Sequence, residues 1–177
     1  MPYKRDEEEK FFYHIFDKNL NLLWEKNITL PYESDLFRVI DYDVQENGDL
    51  YLLSKIFKEK AKDSRKGKPN YHYQIIAYTN QGKNKKEYPI ILEDKFLNDM
   101  KIAINQVGDI ICGGFYSDNG TSSINGSYFL KIDQNTTSIT SKSFKEFGID
   151  FITQNMTDKK QKESSKTKRQ GEGCGIV

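Results

Sequence analysis

The chain has 177 residues, with 27 Lys or Arg against 26 Asp or Glu, so its formal net charge is +1 and it lacks the basic excess typical of nucleic-acid-binding proteins. Aromatic residues make up 13% of the chain, which argues against complete disorder because Tyr and Phe bury large areas. No apolar run approaches the roughly 18 residues of a membrane helix, and the charged residues 1–10 lack the apolar stretch of a signal peptide.

Five β-hairpins are predicted along the chain. In each of them, two runs rich in β-branched and aromatic residues flank a short polar turn. In chain order they are 12–16 with 22–28, 39–44 with 50–53, 73–78 with 88–92, 102–105 with 110–112, and 128–133 with a strand that ends near residue 144. No window before residue 150 has the periodicity of a helix, so the sequence predicts an all-β fold.

Two of these hairpins carry residues that predict local geometry. Asn47-Gly48 predicts a type I′ turn, because both residues tolerate the positive φ that this turn requires. Pro89 has no backbone N–H to donate to a central ladder, so it predicts an edge strand or the start of a strand.

The hairpins are of two alternating kinds, which indicates an internal repeat. One kind turns on Gly-Asp, and its two examples, Gly48-Asp49 and Gly108-Asp109, lie 60 positions apart. The other kind opens with an aromatic strand, beginning at Tyr13, Tyr73 and Tyr128. Two hairpins per repeat make four strands, the content of one β-propeller blade.

The predicted fold is therefore a partial β-propeller of about two and a half four-stranded antiparallel blades: a half blade at 11–31 and full blades at 37–92 and 96–144. Propellers need about 4–8 blades to close, so we expect this chain to be an excerpt of a longer protein. The alternative is an open stack of sheets, whose uncovered faces would self-associate.

Two polar segments interrupt or follow the predicted sheets. The basic insert at 58–69 is predicted to be a solvated loop, with an anionic-ligand or acidic-partner loop as the alternative. Residues 154–177 are rich in lysine and poor in apolar side chains, so they cannot bury enough surface to offset their ordering entropy. They are predicted to form a disordered tail.

Three stretches, 16–26, Pro69-Asn70-Tyr71 and 113–117, resemble those of a large, uncharacterised family of propeller-like proteins from Bacteroidetes bacteria. The resemblance covers most of residues 11–153. It implies propeller-like architecture and a periplasmic, outer-membrane-associated or secreted location, and it implies no catalytic residue. Members of that family are longer and usually carry an export signal.

The candidate metal ligands are not arranged as a site. His14 and His72 are predicted to be half-buried sheet residues, because no Cys or second His lies at a ligand spacing. Asp41, Asp43, Asn47 and Asp49 resemble a calcium loop, but the Gly comes too late and no Glu stands at the twelfth position. The alternation of Asp with Tyr42 and Val44 is instead typical of a strand with one solvated face.

The two cysteines are too few for a disulfide framework. Cys112 is predicted to be a buried, inert thiol in an apolar strand. Residues 174–177, Cys-Gly-Ile-Val, fit a loose prenylation box that would make the protein a lipid-anchored adaptor, with an arbitrary chain end as the favoured alternative. Asn-X-Ser/Thr triplets, at Asn27, Asn119, Asn125, Asn135 and Asn155, are attributed to the turn preference of these residue types rather than to glycosylation.

No catalytic, cofactor-binding or metal-binding residue is predicted, since no nucleophile elbow, phosphate loop, zinc-protease motif or dinucleotide fingerprint occurs. The segment 115–120, Phe-Tyr-Ser-Asp-Asn-Gly, is the strongest candidate for a loop that touches a glycan or peptide, although a glycine-rich blade turn is favoured. The predicted function is a non-enzymatic binding or scaffolding module of the bacterial cell envelope. The alternative is part of a propeller hydrolase acting on glycans, with catalytic carboxylates partly outside this chain.

Overall fold

The structure is a computed structural model that describes residues 8–33, 35–59, 64–65, 68–92, 95–118, 120, 124–148 and 151. The chain divides after Phe144 into two units. The first, Met1–Phe144, holds the sheets and cores described below. In the second, Lys145–Val177, the rings of Phe147 and Phe151 lie 4.6 Å apart between centroids. The predicted disordered tail at 154–177 lies outside the described residues.

The described part of the chain is built almost entirely of strands, which confirms the all-β prediction. The thirteen strands are β1 Glu8–Phe16, β2 Leu22–Glu33, β3 Phe37–Val44, β4 Leu50–Phe57, β5 Ser64–Arg65, β6 Lys68–Pro69, β7 Tyr71–Thr79, β8 Asn84–Ile90, β9 Phe96–Leu97, β10 Lys101–Ile104, β11 Ile110–Ser117, β12 Gly126–Ile132 and β13 Ile139–Glu146. Strand β1 begins at Glu8, within the segment predicted to be a charged N-terminal extension.

The strands form three main antiparallel sheets. Sheet 1 contains β1 and β2; sheet 2 has the order β3-β4-β7-β8; sheet 3 has the order β10-β11-β12-β13, with β9 pairing β11. Strands β5 and β6 form a small separate ribbon. All five predicted hairpins are confirmed, and Pro89 lies in β8 at the edge of sheet 2, as predicted. None of the described sheets closes into a barrel.

The type I′ prediction for Asn47-Gly48 is wrong. Gly48 has a φ of +83°, but Asn47 is not among the described residues with positive φ. The N–H of Gly48 donates to the carbonyl of Gln45 at 2.8 Å, and the N–H of Gln45 donates to Asp49 at 2.9 Å. This is a type I turn followed by a left-handed glycine, the common three-residue hairpin loop. The side chain of Asn47 instead accepts the N–H of Asp49 at 3.0 Å.

The central strands of sheet 2, β4 and β7, are buried on both faces because sheet 2 lies between the other two sheets. Its residues Leu50, Leu52 and Tyr78 share one core with Trp24 and Ile28 of sheet 1. The alternate residues of the same strands form a second core with sheet 3, which includes Tyr51, Leu53, Tyr73, Ile75, Cys112, Leu130 and Ile132. Burial on both faces explains why β4 and β7 are nearly continuous apolar runs rather than alternating ones.

The contacts between sheets repeat with the same spacing as the sequence. Lys26 of β2 donates its ammonium to the carbonyl of Gly82, in the β7–β8 turn of sheet 2. Lys86 of β8, 60 positions later, donates to the carbonyl of Gln134 and to that of Asn135 at 2.9 Å, in the β12–β13 turn of sheet 3. Each outer strand is thus tied to the outer turn of the following sheet by an equivalent lysine.

The Gly-Asp turns repeat in the same way. The N–H of Gly108 donates to Asn105 at 3.0 Å, and the N–H of Asn105 donates to Asp109 at 3.1 Å. This pattern is that of Gln45, Gly48 and Asp49 one sheet earlier. The repeat found in the sequence is therefore a repeat of backbone geometry and of sheet stacking, with β3–β4 and β10–β11 as equivalent hairpins.

Candidate functional site

Both loops singled out from the sequence follow the second strand in the order of their sheet. The basic insert follows β4 in sheet 2, and the segment 115–120 ends β11 in sheet 3. Because β4 and β11 are equivalent strands, the two loops leave the stack at the same end. Tyr71 joins them, since its hydroxyl donates to the carbonyl of Leu97 at 2.8 Å and Leu97 pairs with Tyr116 at the end of β11.

A cavity of about 330 Å³ lies beside the basic insert, and we call it the basic pocket. Its lining residues combine two lysines, a histidine and an aromatic wall with aliphatic side chains: Lys58, Lys68, Pro69, Tyr71, His72, Ile91 and Leu92. The insert is held at its base by the N–H of Lys58, which donates to Asn70 at 2.9 Å, and by the Asn70 amide, which donates to Glu59 at 3.0 Å. The pocket therefore lies at the root of the insert, where the chain is tied down.

The Tyr71 ring forms the fixed wall of the basic pocket. It is buried, and the ammonium of Lys55 lies 3.7 Å from its centroid. The Phe57 ring lies 6.0 Å away at a steep angle, an edge-to-face arrangement. These contacts, with the hydrogen bond to Leu97, hold the ring from three sides.

The electrostatics of the pocket come from its lysines. Lys58 and Lys68 are exposed, so their ammonium groups are available at the rim. The pKa of His72 is lowered, chiefly because half-burial disfavours the imidazolium, and further by the charge of Lys58; a hydrogen bond with Gln74 opposes this. His72 therefore favours its neutral form at neutral pH. Two cations above an apolar and aromatic floor suit a ligand with a carboxylate or phosphate on an apolar body.

The first three residues of the segment 115–120 are strand rather than exposed loop, whereas Asp118 is exposed. Phe115, Tyr116 and Ser117 are the last residues of β11, and Tyr116 and Ser117 are buried. Only Phe115 of the three is exposed, at 41%, on the face of sheet 3 that points away from sheet 2. Strand pairing with β9 and β12 on both sides explains the burial of the end of β11. Asn119 lies outside the described residues.

The candidate metal ligands stay apart, and no cluster of three His, Cys, Asp or Glu suited to a metal occurs in the described ranges. His72 is half-buried, as predicted, but His14 of β1 is exposed, 3.5 Å from Glu25. Asp41 and Asp43 lie on β3 as predicted, and both are half-buried.

The faces of β3 are the reverse of what its amino acids suggest. Asp41 and Asp43 face sheet 3, where Lys101 lies 3.3 Å from Asp41 and the N–H of Ile104 donates to Asp43 at 2.9 Å. The solvated face carries Tyr42 and Val44, which are exposed at 67% and 40%. The sequence could not show this, because the polar face is covered by a neighbouring sheet and the apolar face is not.

The structure also gives the positions of Cys112 and of the asparagines in Asn-X-Ser/Thr triplets. Cys112 is a buried free thiol, as predicted, and burial raises its pKa to about 12. Asn27 lies within β2 rather than in a turn, Asn125 precedes β12, and Asn135 lies in the β12–β13 turn. Asn155 and the box at 174–177 lie outside the described residues.

Reasoning from sequence singled out the insert residues Lys58, Lys68 and Pro69 and also His72, but it missed the other three residues that line the basic pocket. Tyr71 begins β7, and Ile91 and Leu92 follow β8. From the sequence, Ile91 and Leu92 were read only as strand residues, and Tyr71 only as part of a stretch that resembles the Bacteroidetes family. Their sole local signal is the tripeptide Pro69-Asn70-Tyr71, which marks where the insert rejoins the sheet.

Comparisons with known proteins found no protein similar to this chain. No family model matches this chain, and no curated protein and no solved structure is significantly similar to it. Within the residues that the structure describes, none of the helical segments has the length and apolar character needed to cross a membrane.

Proposed function

We propose that the three stacked sheets are blades of a β-propeller and that this chain is a non-enzymatic binding or scaffolding module of the bacterial cell envelope. The observation that carries the proposal is the 60-residue repeat of the lysine contacts between sheets, Lys26 to Gly82 and Lys86 to Gln134. A repeated contact between successive four-stranded units is what a radial array of blades requires. The envelope location rests on the resemblance to the Bacteroidetes family.

The basic pocket is the proposed ligand site of this module. Its volume, about 330 Å³, is at the lower end of the range for small-molecule sites. Lys58 and Lys68 attract anions, while Tyr71, Ile91 and Leu92 form a wall for the apolar body of the ligand. The proposed ligand is an acidic glycan or an acidic peptide.

Binding is tested on an array of neutral glycans, acidic glycans and acidic peptides. Retention of acidic ligands that weakens with rising salt, and falls about tenfold in the Lys58→Gln/Lys68→Gln variant, supports the proposal. Lys18→Gln and Lys83→Gln, at exposed lysines of other turns, form the matched control. Equal retention by both double variants would contradict a ligand site at the basic pocket.

The same array separates binding from hydrolysis. A propeller hydrolase acting on glycans would release product from the array with time, whereas a binding module retains its ligand unchanged. Product release that persists in the purified protein would overturn the non-enzymatic assignment.

Propeller architecture is tested by small-angle X-ray scattering on the protein in its full natural length. A disc-shaped particle with a central channel supports the proposal. A rod that lengthens with the number of repeats would instead show an open stack.

A further inference from the structure

Sheet 1 corresponds to the outer half of the other sheets. Its strands β1 and β2 stand in the place of β7 and β8, since Lys26 and Lys86 make the same contact with the next sheet. In sheet 2, the inner edge of β7 pairs with β4 of the hairpin β3–β4. Among the described residues, the same edge of β1 has no strand beside it.

Beside this edge of β1 the described residues leave a groove, which we call the strand groove. It is a cavity of about 510 Å³ between the free edge of β1 and the inner strands of sheet 2. Its walls are mostly apolar: Phe11, Tyr13, His14, Ile15, Phe16, Val39, Tyr42, Val44, Leu50 and Leu52. An unpaired edge beside an apolar floor is the arrangement that accepts an added β-strand.

Sheet 3 shows what normally covers these positions. Ile102 and Ile104 of β10, which correspond to Tyr42 and Val44 of β3, are half-buried and pack against the core between sheets 2 and 3. They are covered because β3 of sheet 2 lies over β10. Tyr42 and Val44 are exposed at 67% and 40%, because no described strand of sheet 1 lies over β3.

The contact between β3 and β10 also specifies a polar feature of the occupant. The carboxylate of Asp43, the next-to-last residue of β3, accepts the backbone N–H of Ile104 at 2.9 Å. The equivalent N–H in sheet 2 is that of Val44. A hairpin seated in the strand groove would present a carboxylate to Val44 if it had an aspartate at the position of Asp43.

We propose that the strand groove binds a β-hairpin with the pattern of β3–β4, with alternating apolar residues and an aspartate two residues before its turn. The hairpin adds to the free edge of β1 through backbone hydrogen bonds and covers Tyr42 and Val44 with an apolar face. This site differs from the basic pocket in residues and ligand, and it depends on the stacking of the sheets rather than on the closure of a ring.

The test uses a synthetic peptide of residues 37–57, the chain's own inner hairpin, with a short lysine tag for solubility. The peptide is titrated into the full chain by calorimetry, and the backbone amides of β1 are followed by hydrogen exchange. We expect saturable one-to-one binding that protects β1. A peptide of the same composition in scrambled order is the control, and equal binding of both would overturn the proposal.

Two substitutions locate the bound peptide. Tyr42→Lys in the protein places a charge on the apolar floor, and we expect affinity to fall about tenfold or more. Val107→Lys, at an exposed apolar residue in the β10–β11 turn, is the matched control and leaves affinity unchanged. Asp43→Asn in the peptide removes the charge from the acceptor, and we expect a few-fold loss.

The other results would each overturn the proposal. Absence of binding would show that the groove does not accept this hairpin, and binding insensitive to Tyr42→Lys would place the peptide elsewhere. A concentration-dependent dimer that protects β1 and that the peptide does not dissociate would show a second copy of the chain at this edge.

Discussion

Among the described glycines, Gly114 in β11 has the least room for a side chain. A Cβ atom built there would lie 2.1 Å from the carbonyl oxygen of Asp99 and 3.0 Å from the hydroxyl of Tyr128. The Tyr128 hydroxyl donates to that same carbonyl at 2.7 Å. Gly113, the preceding residue, is the matched control, because its Cβ would meet only the carbonyl of Tyr128, at 3.6 Å.

Gly114→Ala must therefore displace the Asp99 carbonyl by about 1.3 Å, from 2.1 Å to the 3.4 Å at which ordinary contact begins. Forcing an extra carbon into a packed site costs about 1–3 kcal/mol. Loss of the hydrogen bond from Tyr128 adds about 1 kcal/mol. Gly113→Ala meets ordinary contact distances and gains up to about 1 kcal/mol, because alanine is favoured over glycine within a strand. The expected difference in the free energy of unfolding is about 3 kcal/mol.

Urea unfolding followed by circular dichroism measures this difference. With a slope of about 1–3 kcal/mol per molar urea, the midpoint of Gly114→Ala should lie at least 1 M below that of Gly113→Ala. Tyr128→Phe, which removes only the hydrogen bond, should fall between them at about 1 kcal/mol below the unchanged protein. Midpoints of the two alanine variants within 0.3 M, roughly the error of the method, would refute the reasoning.

Three further outcomes are expected. Iodoacetamide at pH 8 should leave Cys112 unmodified in the folded protein, because burial raises its thiol pKa to about 12, and peptide mapping scores it separately from Cys174. The folded pKa of His72 lies below the usual 6.5, so stability should fall as pH drops below about 6.5, and His72→Gln should remove that loss. Lys26→Met and Lys86→Met should each lower the free energy of unfolding by about 1 kcal/mol, because each removes an equivalent hydrogen bond between sheets.

Each of these outcomes has its own control. Modification of Cys112 at the rate of a free thiol would contradict its burial. If the pH dependence of stability survives in His72→Gln and disappears in His14→Gln, the prediction has named the wrong histidine. Lys83→Met, at an exposed turn lysine, is the control for the inter-sheet lysines, and a loss as large as theirs would contradict a specific role for the repeated contact.

The hairpins could be predicted because the information for them is local. Alternating apolar residues and a Gly-Asp or polar turn lie within about fifteen residues of one another, and the first strand of each hairpin pairs with the strand that follows it. The 60-residue repeat was also readable, since equivalent turns such as Gly48 and Gly108 need the same residue type for the same positive φ. The turn class at Asn47 was wrong, because the sequence does not distinguish a two-residue from a three-residue loop.

The solvated face of β3 could be assigned only from the tertiary structure. By residue type, Asp41 and Asp43 belong in water and Tyr42 in a core, yet their exposure is reversed. Burial depends on which sheet lies over each face, and that neighbour is a hairpin far away in the sequence. The basic pocket is similar, since Lys58 and Ile91 meet there only because β4, β7 and β8 are adjacent.

The sequence alone thus determined the strands, their pairing into hairpins and the repeat, because these follow from backbone preferences and side-chain alternation over short distances. The tertiary structure decided the order of the sheets, the burial of β4 and β7 on both faces and the two cavities. The physical reason is that apolar surface is buried by whichever element packs against it, whatever its distance along the chain. The strand groove exists because one such element is absent beside β1 in the described chain.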